Sequence, residues 1–111
     1  MPVFDRQKAC EALGGDEELL NEMLGLFLAG LDDYLAPLNQ AIANDDAQTT
    51  AQLAHRIKAT TGTLEAQSLS ELAKRLELAG KANESGWQIM GGELLSGLQQ
   101  LADEIRTMTN K

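Results

Sequence analysis

"LAHRIKATTGTLEA", Leu53 to Ala66, holds the only histidine of a 111-residue chain. Its apolar residues recur three and four apart, which is the period of an amphipathic helix. At 100° per residue, Leu53, Ile57, Thr60 and Leu64 fall on one side, the side expected to face a core. His55 falls about 180° from the centre of that group, so its ring is expected in solvent. One turn either side of it are Ala51 and Ala59, with Gln48 two turns back and Gly62 two turns on. Lys58 stands one turn on, at the flank. An ordinary solvent face would carry long charged side chains here. The imidazole instead stands on a low platform of small residues, which would let another protein approach closely. Gly62 costs about 1 kcal/mol against alanine in a helix interior, so something other than helix propensity accounts for it.

Outward from this helix, predicted to span Ala47 to Thr63 or Leu64, the flanking segments also read as helices. Asp5 is a good N-cap for a short helix ending near Leu13. Gly14 to Asp16 stops that helix and caps the next, with Glu17 and Glu18 suited to its positive end. Leu20, Leu24, Phe27, Leu31, Leu35, Leu38 and Ile42 form one apolar stripe, in which Pro37 is expected to kink or split the helix. Asn44 to Asp46 ends it and offers an N-cap for the helix that carries His55. Downstream, Ser68 and Glu71 read as a capping box opening a helix that ends near Gly80. Ser85 is the expected cap of the last helix, whose stripe is Trp87, Met90, Leu94, Leu98, Leu101, Ile105 and Met108. That stripe favours one helix despite Gly91 and Gly92. Trp87, the methionines at helical spacing and Cys10 are expected in the core, and Asp32 and Asp33 on a solvated face. The prediction is an all-α domain over residues 1–111: an antiparallel four-helix bundle with a short additional N-terminal helix as a lid.

Composition agrees. Only four residues are aromatic, and the apolar content is mostly Leu and Ala, which disfavours strands. The net charge of −8 argues against nucleic acid and anionic membranes as partners. No run reaches membrane-span length, and the N-terminus lacks a signal-peptide apolar region. A lone cysteine makes no internal disulfide, which fits a reducing cytoplasm. With one His and one Cys, no zinc site of the usual kind is expected, and neither a phosphate-binding glycine loop nor an H-E-x-x-H motif occurs.

An exposed imidazole beside a lysine suits nucleophilic chemistry on a phosphoryl group, held as a phosphoramidate. Imidazole is largely neutral at pH 7 and needs no activating base. It does benefit from a carboxylate that accepts a hydrogen bond from the other ring nitrogen and fixes the tautomer.

"AHRIKATTGTLEA", followed by "LSELAKRLE", resembles the histidine phosphotransfer (HPt) domain of multistep phosphorelays, whose pattern runs roughly A-H-x-L-K-G-x-x-G-x-x-G-A and then a helix ending in L-E. The upstream "LGGDEELLNEMLGLFL" resembles the same family's entry into its bundle. The resemblance implies that His55 is phosphorylated, that Lys58 pairs with the phosphoryl group and that Gly62 keeps the face open. It further implies that Glu77 hydrogen-bonds the ring from the next helix. By projection Glu77 lies at the border of the stripe formed by Leu69, Leu72, Ala73 and Leu76, from which it could reach across. Two positions depart from the pattern, since Ala59 and Glu65 each stand where the family usually has glycine.

The expected function is that of a phosphocarrier without ATP-dependent kinase activity. It would take a phosphoryl group from a receiver-domain aspartate onto His55 and pass it to another receiver. Gln48, Ala51, Ala59 and Gly62 are the expected docking surface. The resemblance also implies a cytoplasmic monomer with no cofactor of its own, Mg²⁺ belonging to the partner, and response-regulator receivers as partners, including those of hybrid histidine kinases. The alternative is a helical adaptor that docks a receiver or kinase without taking phosphate. A helical enzyme using His55 and Glu77 as a pair lacks any pocket signature.

Overall fold

Aspartates open three of the helices by accepting from the third residue on, as N-caps do: Asp5 from Lys8 N at 3.1 Å, Asp16 from Leu19 N at 3.0 Å and Asp46 from Thr49 N at 3.0 Å. The computed structural model describes residues 2–109, and these contain six helices and no strand. They are α1 (Arg6–Ala12), α2 (Glu17–Ala29), α3 (Asp32–Ala43), α4 (Ala47–Thr63), α5 (Gln67–Lys81) and α6 (Trp87–Thr109). Helix α4 packs most closely on α5, α5 on α6, and α6 on α3, which returns to α4. This closed ring of four is the predicted bundle. Helix α1 lies against α2. The segment before α1 is tied down at Glu104 of α6, whose carboxylate accepts from Val3 N and Phe4 N at 3.0 Å, and Phe4 is buried.

One continuous apolar core fills the ring, and both predicted stripes lie in or against it. Trp87 and Cys10 are buried as expected, whereas Met23, Met90 and Met108 are only partly buried, at its margin. Helix α6 is continuous through Gly91 and Gly92. A Cβ on Gly91 would lie 2.6 Å from Ile42 Cδ1, so this glycine admits close contact between α3 and α6.

Four expectations need correction. Ser85 does not cap the last helix, which begins at Trp87 directly after Gly86, whose carbonyl accepts from Met90 N. The long second helix does not break at Pro37. It breaks at Gly30–Leu31, and the proline is carried inside α3. Gly30 is a poor helix former, tighter i→i−3 bonds from Asp33 N to Gly30 O and Tyr34 N to Leu31 O turn the chain, and Asp32 and Asp33 then sit in the first turn of a new helix, where negative charge is favoured. On α4 the fully buried threonines are Thr50 and Thr61. Thr60 is half-buried at the rim and shares a 3.0 Å hydrogen bond with the Tyr34 hydroxyl. Helix α4 is flanked by α3 and α5, so its buried arc is wider than a single stripe. The Ser68–Glu71 capping box does not open α5 either, because Ala66 is the N-cap and makes no side-chain bond.

The reason lies in the joint. Ala66 N donates to Thr61 O at 2.9 Å and Glu65 N to Gly62 O at 3.0 Å, the pairing of a Schellman motif, while Ala66 O already accepts from Ser70 N. One residue thus ends α4 and begins α5. The motif forces Glu65 into the left-handed region at φ 59°. Glycine suits that position, and a side chain there costs about 1–2 kcal/mol. We expect Glu65→Gly to stabilise the protein by about 1 kcal/mol, measured by chemical denaturation. A loss of stability would contradict this reading of the joint.

Candidate functional site

Helices α4 and α5 come together through small residues. Gly80 on α5 lies so near α4 that a Cβ on it would be 2.7 Å from the Ala47 carbonyl oxygen and 3.0 Å from the Ala51 methyl. Any larger residue would push α5 away, and with it the reach of α5 side chains across to α4. At the other end of the pair, Ser70 Oγ donates to Lys58 O at 3.1 Å.

Between these two points Glu77 reaches across. Its Oε2 accepts from His55 Nδ1 at 2.8 Å, its Oε1 from Lys58 Nζ at 2.9 Å, and Oε2 also accepts from Lys81 Nζ at 3.2 Å. The Glu77 side chain is 7% exposed, whereas the His55 side chain is 64% exposed. A nearly buried carboxylate stays charged only if its partners outweigh the loss of water. Here they do: the Lys58 hydrogen bond, followed by those of Lys81 and His55, outweighs desolvation and brings Glu77 from an ordinary 4.5 down to about 2.

The tautomer follows. An ionised carboxylate only accepts, so Nδ1 must be the donor. A neutral His55 ring then carries its proton on Nδ1 and its lone pair on Nε2. Nε2 has no protein partner among the described residues. The arrangement is an oriented nucleophile: one nitrogen anchored, the other open, with two ammonium groups within a side chain's reach.

His55, Lys58 and Glu77 are thus brought together. The docking residues fare differently. Gln48 and Ala59 are exposed, Gly62 is half-buried, and Ala51 is 3% exposed, its methyl spent against Gly80. Ala51 instead forms part of the floor of a shallow groove beside the histidine, lined by Gln48, Gln52, His55, Glu77 and Lys81. A Cβ on Gly62 would lie 3.4 Å from Ser70 Oγ, an ordinary contact, so internal packing does not require this glycine. Sequence reasoning missed Lys81. Its only signal was the i,i+4 spacing from Glu77 on α5.

No helix among the described residues is long and apolar enough to cross a membrane. No curated protein sequence matches the chain. Among solved structures, the HPT domain from the Hpt sensor hybrid histidine kinase of Shewanella superposes with a TM-score of 0.88 at 16% identity, covering 97% of this chain and 94% of that one. At that identity the likeness speaks to the fold, a helical bundle. Residues 22–108 match the family model of the Hpt domain, a stretch that takes in all of α3, α4 and α5 and the whole histidine–glutamate–lysine cluster. The chain belongs to the Hpt domain family, the histidine phosphotransfer domains of phosphorelays.

Proposed function

We propose that this protein accepts a phosphoryl group from a receiver-domain aspartate onto Nε2 of His55 and donates it to the aspartate of another receiver. The observation that carries the reading is the 2.8 Å bond from Nδ1 to an ionised Glu77, which leaves Nε2 as the available nitrogen on a largely exposed ring. In the forward step the Nε2 lone pair forms the N–P bond while the acyl O–P bond breaks, and the receiver's carboxylate leaves. The Nδ1 proton stays in place. The ring becomes imidazolium-like as it takes the phosphoryl group, and the Glu77 carboxylate opposes that charge. Lys58, 32% exposed, offers an ammonium to the phosphoryl oxygens. Onward transfer is the same step reversed. Mg²⁺ is assigned to the receiver, where carboxylates and the phosphate would hold it. The protein needs no ATP, and it acts as a cytoplasmic carrier.

Incubation with phosphorylated receivers tests the reading. Label should move to this protein as an acid-labile, base-stable adduct. Receiver binding with no label would favour the adaptor function instead. Within the carrier reading, Lys58→Ala is expected to slow transfer about 10-fold, the scale of one charge-assisted contact of about 1.4 kcal/mol in the transition state. The measurement is the single-turnover rate at saturating receiver, and an unchanged rate would remove Lys58 from the mechanism.

A further inference from the structure

The charge of this chain is unevenly distributed. Residues 47–81, which hold α4 and α5, carry five Lys or Arg against three Asp or Glu, while the rest of the chain carries four against fourteen. The site hairpin therefore nets +2 on a protein of net −8. Helix α4 contains no acidic residue at all. One of the two acids on α5, Glu77, is nearly buried and already paired with Lys58 and Lys81.

The positive charge also faces the histidine. Lys74 and Lys81 stand three before and four after Glu77, so they share its side of α5, and both are exposed. Leu78, 56% exposed, lies between them. Lys74 makes no hydrogen bond or ion pair among the described residues, and the acid one turn before it, Glu71, is exposed and does not bond to it. A cationic rim thus borders His55 on one side of an otherwise acidic body.

We propose that this rim, with Lys74 as its uncommitted charge, is an electrostatic guide that turns the negatively charged reacting face of a receiver toward His55 while the acidic remainder repels that face elsewhere. The inference rests on the phosphotransfer reading and names the surface property of the partner. A face presenting an aspartyl phosphate, together with the carboxylates that hold its metal ion, is anionic. Between two bodies whose charges are arranged this way, encounter is accelerated at low salt and the acceleration is lost when ions screen it, with a Debye length of about 10 Å at 0.1 M. Steering raises the association rate more than the affinity.

The test compares Lys74→Glu with Lys8→Glu, an exposed position on α1 that changes net charge equally. The readout is kcat/KM for transfer from a phosphorylated receiver across ionic strengths. Lys74→Glu should lower kcat/KM about 10-fold at about 20 mM salt and return to within about 2-fold of the unaltered protein at about 0.5 M. Lys8→Glu should stay within about 2-fold throughout. Equal losses in the two variants would mean that only net charge matters, and a loss at Lys74 that persists in high salt would mean a direct contact. Either result overturns the guide. If the unaltered protein takes no label on His55 at any salt concentration, it is the phosphotransfer reading that fails, and the guide with it.

Discussion

Replacing His55 with Gln should abolish phosphoryl acceptance and leave the bundle standing. The introduced side-chain amide could still donate a hydrogen bond to Glu77, so the local network loses little, but an amide nitrogen has no lone pair available to attack phosphorus. We expect transfer to fall by more than about 1000-fold, as for loss of a nucleophile that nothing nearby replaces. Stability should change by no more than about 0.5 kcal/mol, because the ring is 64% exposed and fills no core volume. The pair of measurements matters more than either alone. A variant that loses transfer and unfolds would say only that His55 is structural. A variant that keeps its helical content and its midpoint, and loses transfer, isolates the chemistry at the ring. Transfer at an undiminished rate would mean that another group takes the phosphate.

The second large effect belongs to Glu77. Glu77→Ala removes the anchor of Nδ1, frees the ring to rotate and exchange tautomers, and leaves Lys58 and Lys81 without their shared partner. Loss of the group that orients a functional imidazole costs about 10- to 100-fold. Glu77→Gln should fall between the unaltered protein and the alanine variant, because its amide oxygen can still accept from Nδ1 but cannot oppose the ring's developing charge. Stability carries a second signature. Because the folded protein holds Glu77 at about 2 against an ordinary 4.5, the ionised carboxylate contributes stability that is complete above about pH 4.5 and disappears as pH falls toward 2. The advantage of the unaltered protein over Glu77→Gln, measured by chemical denaturation, should therefore be largest near neutrality and shrink between pH 4.5 and 2. An advantage independent of pH would mean that the carboxylate's charge adds nothing to the fold.

What was legible in the sequence were features set by neighbours on the same helix. The span of α4 followed from Asp46 as a cap and from the spacing of Leu53, Ile57 and Leu64, and the outward direction of His55 followed from the same geometry. Glu77 was legible as a border residue, and the family motif supplied its partner. Features set by packing between helices were not legible. Ala51 reads as surface until Gly80 brings α5 against it. The break at Gly30–Leu31 was hidden because the apolar stripe from Phe27 through Leu31 to Leu38 keeps helical spacing across it, so periodicity alone shows no interruption. Ser68 and Glu71 match a capping box, but the Schellman joint at Glu65 and Ala66 leaves no gap for a serine cap to fill. Lys81 was missed because its role depends on a carboxylate turned inward toward α4, and spacing on α5 does not report which way Glu77 reaches.

The most direct measurement is the identity of the phosphorylated atom, read by NMR of ¹⁵N-histidine-labelled protein after transfer from a phosphorylated receiver. With Nδ1 committed to Glu77 at 2.8 Å, phosphorus should couple to Nε2 of His55 and Nδ1 should keep its proton. Phosphorus on Nδ1, or on a residue other than His55, would contradict the geometry from which the function was inferred.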